Sequence, residues 1–197
     1  MSTTSIVMVG VGGQGTILAS RLLGDVAVNE GFDVKISEVH GMSQRGGSVI
    51  TYLRYGDKVY SPITGFGGAD YLIAFEQLEA ARWLPMLKRG GKLIVSEHRV
   101  NPAPVLSGEK KYPDDIERFL EQNGIDTIKI DALKEAKDAG IIKAANVVMM
   151  GAFAHFSEFD VKSYEKSLEN IIPKRFFEGN RRAFMRGYDS VREKRGR

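Results

Sequence analysis

The chain has 197 residues, 43% of them hydrophobic and 27% charged, the make-up of one soluble domain large enough to bury a proper core. It contains no cysteine, which excludes disulfides, thiolate zinc sites and cysteine-ligated iron–sulfur clusters on this chain. The net charge of +3 is concentrated at the end: residues 181–197 hold seven Lys/Arg against Asp189 and Glu193.

From the start, "MSTTS" runs directly into "SIVMVG" (5–10), a short apolar, β-branched run ending in glycine that predicts a buried strand. No basic-then-apolar leader precedes it. In the next segment Leu18, Leu22 and Val26, with Ala19, Leu23 and Ala27, recur at i, i+4 and predict an amphipathic helix stopped by Gly31. "FDVKISEV" alternates as a second strand, so a βαβ unit with parallel strands and a right-handed crossover is expected.

"SVITYLRYGDKVYSPI" reads as a hairpin of two short strands about a turn at Tyr55-Gly56-Asp57-Lys58. "ADYLIAFE" is a buried strand, "QLEAARWLPMLKRGG" a helix kinked or ended by Pro85, and "KLIVSEH" another strand. The Pro-rich "NPAPVLSGEKKYPDD" predicts an extended surface connection, followed by a helix in "DDIERFLEQNG" and a strand in "IDTIKID". Beyond residue 132 only helical patterns remain. The run 144–159 is apolar on most sides and predicts a buried helix; its longest apolar stretch, 144–156, is too short to span a bilayer and contains Asn146 and His155. The expected fold is α/β: a Rossmann-like, doubly wound, mostly parallel sheet with an inserted β-hairpin and a helical C-terminal third, forming one domain over 1–197. The expected location is the cytoplasm.

Two glycine-rich loops carry the candidate chemistry. Gly10-Val11-Gly12-Gly13-Gln14-Gly15 matches G-x-G-x-x-G between strand one and helix one. In that context Gly10 and Gly12 permit a tight turn and close approach of an anion. Gly15 permits close packing of helix on sheet, and the helix N-terminus favours phosphate. The same glycines equally serve a bare βα turn. Glu38, at the end of strand two, stands where a ribose-binding acid would sit.

The second loop, "SEVHGMSQRGGSV" (37–49), sets Ser43, Gln44, Arg45, Gly46 and Gly47 beyond the carboxyl end of the second strand, beside the first loop. Arg45 suits a bidentate grip on phosphate or carboxylate, and Gly46-Gly47 lets the backbone donate as well. Of the three histidines, His40, His98 and His155, none has a partner at i+4, and no metal site is expected. The basic end reads as a solvated helix face or a surface for an acidic partner. No aromatic–basic platform accompanies it, so no nucleic-acid partner is expected.

"GVGGQGTILASRLL", "SEVHGMSQRGGSV" and "DKVYSPI" together resemble the gamma-type subunits of the 2-oxoacid:ferredoxin oxidoreductases, in the form of the indolepyruvate branch. "ADYLIAFEQLEAAR" and "LKRGGKLIV" extend the likeness, which thins after about residue 132. The resemblance implies a complex that oxidatively decarboxylates arylpyruvates, with coenzyme A accepting the acyl group and ferredoxin the electrons. It also implies thiamine diphosphate, Mg²⁺ and iron–sulfur clusters.

The residues here do not hold those groups: cysteine is absent, and no G-D-G with a distant Asn-Asn pair exists, "GDV" (24–26) and "GDK" (56–58) being the nearest. The implied role is an accessory subunit to a large alpha subunit carrying those cofactors, with no catalytic residue of its own and no membrane contact. Whether the paired loops touch coenzyme A, the oxoacid or only the partner is left open by the residues.

Three other readings compete. A free-standing NAD(P) oxidoreductase would use Gly10–Gly15 and Glu38, with His40 as proton donor. A methyltransferase is suggested by "LKRGGKLIVSE", but strand one lacks the acid that precedes that family's glycine loop. A non-catalytic scaffold is the third.

Overall fold

The computed structural model describes residues 3–41 and 46–195. Six strands form one sheet in the order β2-β3-β1-β4-β5-β6. They are β1 (Thr4–Val11), β2 (Asp33–His40), β3 (Ser48–Gly56), β4 (Ala69–Ala74), β5 (Leu87–Ser96) and β6 (Asp126–Ile130). β1–β4, β4–β5 and β5–β6 pair parallel, whereas β3 runs antiparallel to both β1 and β2. The mostly parallel, doubly wound sheet expected from the alternating pattern is present.

The strand sequences explain the layering. In β1, Ile6 and Met8 point to one face and Val7 and Val9 to the other, and all four are fully buried, as a central strand covered on both sides requires. The first face receives α1 (Thr16–Asn29), α5 (Ala132–Asp138), α6 (Ala145–Ala154), α7 (Val161–Ile171) and α8 (Lys174–Arg195). The second receives α2 (Gln77–Trp83) and α4 (Ile116–Gln122) through Ala80, Ile116 and Leu120. In α1, burial of Leu22, Leu23 and Val26 stabilises by roughly 1.5–3 kcal/mol each.

Four expectations are corrected. The hairpin is formed by β2 and β3, so the second glycine loop is its connection and no turn occurs at Tyr55–Lys58. β3 continues through Tyr55 because it is paired on both edges. The chain beyond Gly56 is held by side chains instead: Asp33 accepts from the Val59 N–H at 2.9 Å, and Arg54 Nη1 donates to the Ser61 carbonyl at 3.0 Å. The crossover strand β2 is consequently not the neighbour of β1, since β3 lies between them.

Third, the helix after β4 ends at Trp83 and tightens into a 3₁₀ turn, Leu84–Met86, with Pro85 inside it, so "LKRGG" belongs to β5 as an irregular start. Fourth, the proline-rich connection contains a single helical turn, α3 (Ala103–Leu106).

Three arginines of the basic end, Arg181, Arg182 and Arg186, are engaged with this chain. Arg181 reaches Glu165 at 2.7 Å, Arg182 Nε donates to the Ala139 carbonyl at 3.2 Å, and Arg186 reaches Glu135 at 2.7 Å and Asp138 at 3.1 Å. Among the described residues no helix is long and apolar enough to cross a membrane.

α6 is apolar on every side and is accordingly buried from Asn146 to Ala154. It touches α8 backbone to backbone. A Cβ on Gly151 would lie 1.9 Å from the Phe184 carbonyl oxygen, and one on Gly187 would lie 1.9 Å from that of Val148. Gly187→Ala should therefore destabilise by about 3 kcal/mol or more. Gly179→Ala in the same helix should stay within about 1 kcal/mol, because its Cβ would meet only the Ile141 side chain at 3.2 Å. Urea unfolding of the two variants makes the comparison.

Burial also raises the hydroxyl pKa of Tyr55, Tyr112 and Tyr164 above the ordinary 10.0. As pH rises, the unfolded chain then releases these protons before the folded one. The stabilisation is complete below the ordinary tyrosine value and is lost above it. Thermal melts between about pH 8 and 11 should show a midpoint steady up to about pH 9 and falling beyond about pH 10.

Candidate functional site

The parallel strands β1, β4, β5 and β6 end on one edge of the sheet, and β3 begins there: Val11, the last residue of β1, stands opposite Ser48. Both glycine loops therefore meet at this edge. The Gly12 N–H donates to the Gly47 carbonyl at 2.9 Å, which ties the first loop to the second. Gly46 has φ +78, a conformation that a side chain disfavours. Ser43, Gln44 and Arg45 lie outside the described residues.

Gln14 acts differently from a phosphate-loop residue. Its Oε1 accepts from the Val11 N–H at 2.7 Å and its Nε2 donates to the Phe75 carbonyl at 3.1 Å. It thus bridges the ends of β1 and β4, where the winding of the sheet reverses and a dinucleotide would ordinarily enter. Gly10 leaves room for this amide: a Cβ there would stand 2.7 Å from Gln14 Oε1 and 3.2 Å from Phe75 Cβ. Gly10 therefore has a packing role in this loop.

Gly15 also differs from the expected helix-on-sheet contact. It caps α1 at φ +82, and its neighbour is Asn146 of α6, whose Nδ2 donates to the Gly15 carbonyl at 3.1 Å. A Cβ on Gly15 would lie 2.5 Å from that nitrogen. Gly13, at φ +101, is exposed, and a Cβ there would meet nothing within 4 Å.

Two depressions share Gly13. The larger, about 450 Å³, is lined by Gly12, Gly15, Thr16, Ile17, Glu38 and His40 among others, and lies before the start of α1. No side chain caps that helix, so its first turn and dipole favour an anion. Glu38 faces this cleft with its carboxylate already engaged: Thr51 Oγ1 donates to it at 3.2 Å, and His40 Nδ1 is 3.6 Å away.

The smaller depression, about 180 Å³, lies beyond β4, β5 and β6 between Phe75, Ser96, His98, Lys143 and Asn146. Asn146 Oδ1 is buried there without a hydrogen-bond partner among the described residues. Asn146, Lys143 and His98 were not singled out as site residues from the sequence. The available signal was a lone amide inside an apolar helix, a residue whose burial demands a polar partner.

The interposed β3 also bears on the dehydrogenase reading. In dinucleotide-binding folds the acid on strand two is one strand from the glycine loop. Here β3 displaces Glu38 by about 4.8 Å more and the carboxylate is turned onto Thr51. No group of three His, Cys, Asp or Glu side chains able to hold a metal occurs among the described residues.

Comparison with known proteins matches residues 5–190 to the family model described as pyruvate ferredoxin/flavodoxin oxidoreductase. The chain is 37% identical over 203 residues to "Indolepyruvate oxidoreductase subunit IorB" of Thermococcus kodakarensis, covering 100% of both. It is 30% identical to "2-oxoglutarate synthase subunit KorC" of Methanothermobacter marburgensis, over 93% of this chain and 94% of that one. Among solved structures it matches the keto/oxoacid ferredoxin oxidoreductase gamma subunit of Geobacter sulfurreducens, with a TM-score of 0.72 and 26% identity, over 96% of this chain and 99% of the other. From end to end, in sequence and in fold, the chain belongs to the pyruvate ferredoxin/flavodoxin oxidoreductase family.

Proposed function

We propose that this chain is the accessory, gamma-type subunit of an indolepyruvate-type 2-oxoacid:ferredoxin oxidoreductase. The complex oxidatively decarboxylates an arylpyruvate to its acyl-coenzyme A thioester and passes the electrons to ferredoxin. Identity along the whole length to an indolepyruvate oxidoreductase subunit carries the assignment. A chain without cysteine offers no thiolate to an iron–sulfur cluster, so thiamine diphosphate, Mg²⁺ and the clusters are assigned to a larger alpha subunit.

The contribution of this chain is the cleft before α1. Two glycine loops joined by the Gly12–Gly47 hydrogen bond stand beside an uncapped helix start, a setting that suits the phosphates of coenzyme A. Arg45, in the second loop, supplies the cation. The runner-up, a free-standing NAD(P) oxidoreductase, is disfavoured by β3 standing between β1 and β2.

Purification of the native protein tests the assembly: it should travel with a larger, brown, thiamine-dependent partner, and a solitary protein would count against the assignment. In the reconstituted complex, Arg45→Ala should raise the KM for coenzyme A about tenfold with little change in kcat. Unchanged KM for both coenzyme A and the oxoacid would mean that the loops serve only the subunit interface.

A further inference from the structure

A buried carboxylate behind the second glycine loop has no role in the reading above. Glu79 lies on α2 and is 3% exposed. Burying a carboxylate is costly unless donors surround it, and here three do. Arg82 Nη1 is 3.2 Å from Oε1, while the Ser48 hydroxyl and the Trp83 indole N–H (3.2 Å) both donate to Oε2. Trp83 Nε1 is also 3.3 Å from Ser48 Oγ. Capping of α2 does not explain the arrangement, because Glu76 already accepts from the Glu79 N–H at 3.0 Å. The cluster instead joins α2 to Ser48, the residue that directly follows Gly47.

We propose that Glu79 is a positioning residue for both glycine loops. The route has two hydrogen bonds and one covalent step. Glu79 holds the Ser48 hydroxyl, Ser48 fixes the adjoining Gly47 peptide, and the Gly47 carbonyl accepts from the Gly12 N–H at 2.9 Å. Two consecutive glycines have more backbone freedom to lose than any other pair, so the Glu79 anchor adds to the pairing of Ser48 with Val11 in holding this carbonyl in one place. Gly47 then presents that carbonyl to the first loop, and the mouth of the cleft before α1 takes its shape from a helix on the opposite face of the sheet. The anchor acts through Ser48 and need not touch a ligand. Its link to coenzyme A rests on the functional reading above.

Glu79→Gln keeps the size of the side chain but places an NH₂ group against either Arg82 or the Ser48–Trp83 donors. Ser48→Ala cuts the route and leaves the Glu79–Trp83–Arg82 contacts in place. Amide hydrogen exchange at Gly12 is measured on the whole chain, alone and in the reconstituted complex. Both variants should exchange about tenfold faster there than the parent, and in Glu79→Gln the emission of Trp83, the single tryptophan, should shift to the red. Parental exchange at Gly12 in both variants would overturn the proposal, leaving Glu79 as a partner for Trp83 alone.

In the complex, faster exchange should come with a raised KM for coenzyme A at unchanged kcat. Faster exchange with an unchanged KM would uphold the positioning role and sink the coenzyme A reading.

Discussion

The close approach of α6 and α8 is the constraint on which the site depends. A helix apolar on every side must be covered on every side, and α6 is covered by the sheet, by α1 and by α8. The α8 contact is made through Gly151 and Gly187, where no methyl group fits. That contact sets how far α6 stands from the sheet and so where Asn146 sits. Asn146 in turn holds the Gly15 carbonyl at the start of α1. The geometry of the first glycine loop thus follows from packing at a helix crossing elsewhere in the core.

The loop region shows how a glycine motif can be put to a different use without changing its letters. Gly10 makes room for the Gln14 amide, which fastens β1 to β4, and Gly15 makes room for Asn146. The Gly12 N–H is taken by Gly47. What remains accessible is Gly13 and the uncapped first turn of α1, with the second loop standing opposite. Gln14 bridges the position between β1 and β4 at which a nucleotide enters a dehydrogenase. The cleft before α1 lies toward β3 and β2, lined by Glu38, His40 and Val49 as well as by the first loop.

The antiparallel β3 also accounts for the main mismatch between expectation and structure. Alternating patterns in "FDVKISEV" and "SVITYLRYG" mark strands reliably, because a side-chain period of two survives whatever the pairing. Pairing partners leave no such trace. A hairpin turn at Tyr55–Lys58 and one at residues 41–47 are both compatible with the turn residues present. The choice is made by β2, which pairs with β3 along its whole length from Asp33 to His40, while β1 takes the other edge of β3 from Thr4 to Val11. Pro85 was legible as a helix terminator, but the irregular start of β5 that follows was not. It depends on a register shift opposite Ala69 and Tyr71.

By itself, the sequence determined the βα alternation, the buried α6, the two glycine loops at one sheet edge and the family, because periodicity, glycine spacing and a distinctive loop are local properties. The absence of thiolate ligands was equally plain, since the chain has no cysteine. Only the tertiary structure decided that β3 separates β1 from β2, that Gln14 bridges the place where the winding reverses, and that Asn146 and Glu79 stand behind the loops. Those contacts join residues between 31 and 131 positions apart, and partners at such separations are chosen by how the layers pack, which no local pattern encodes.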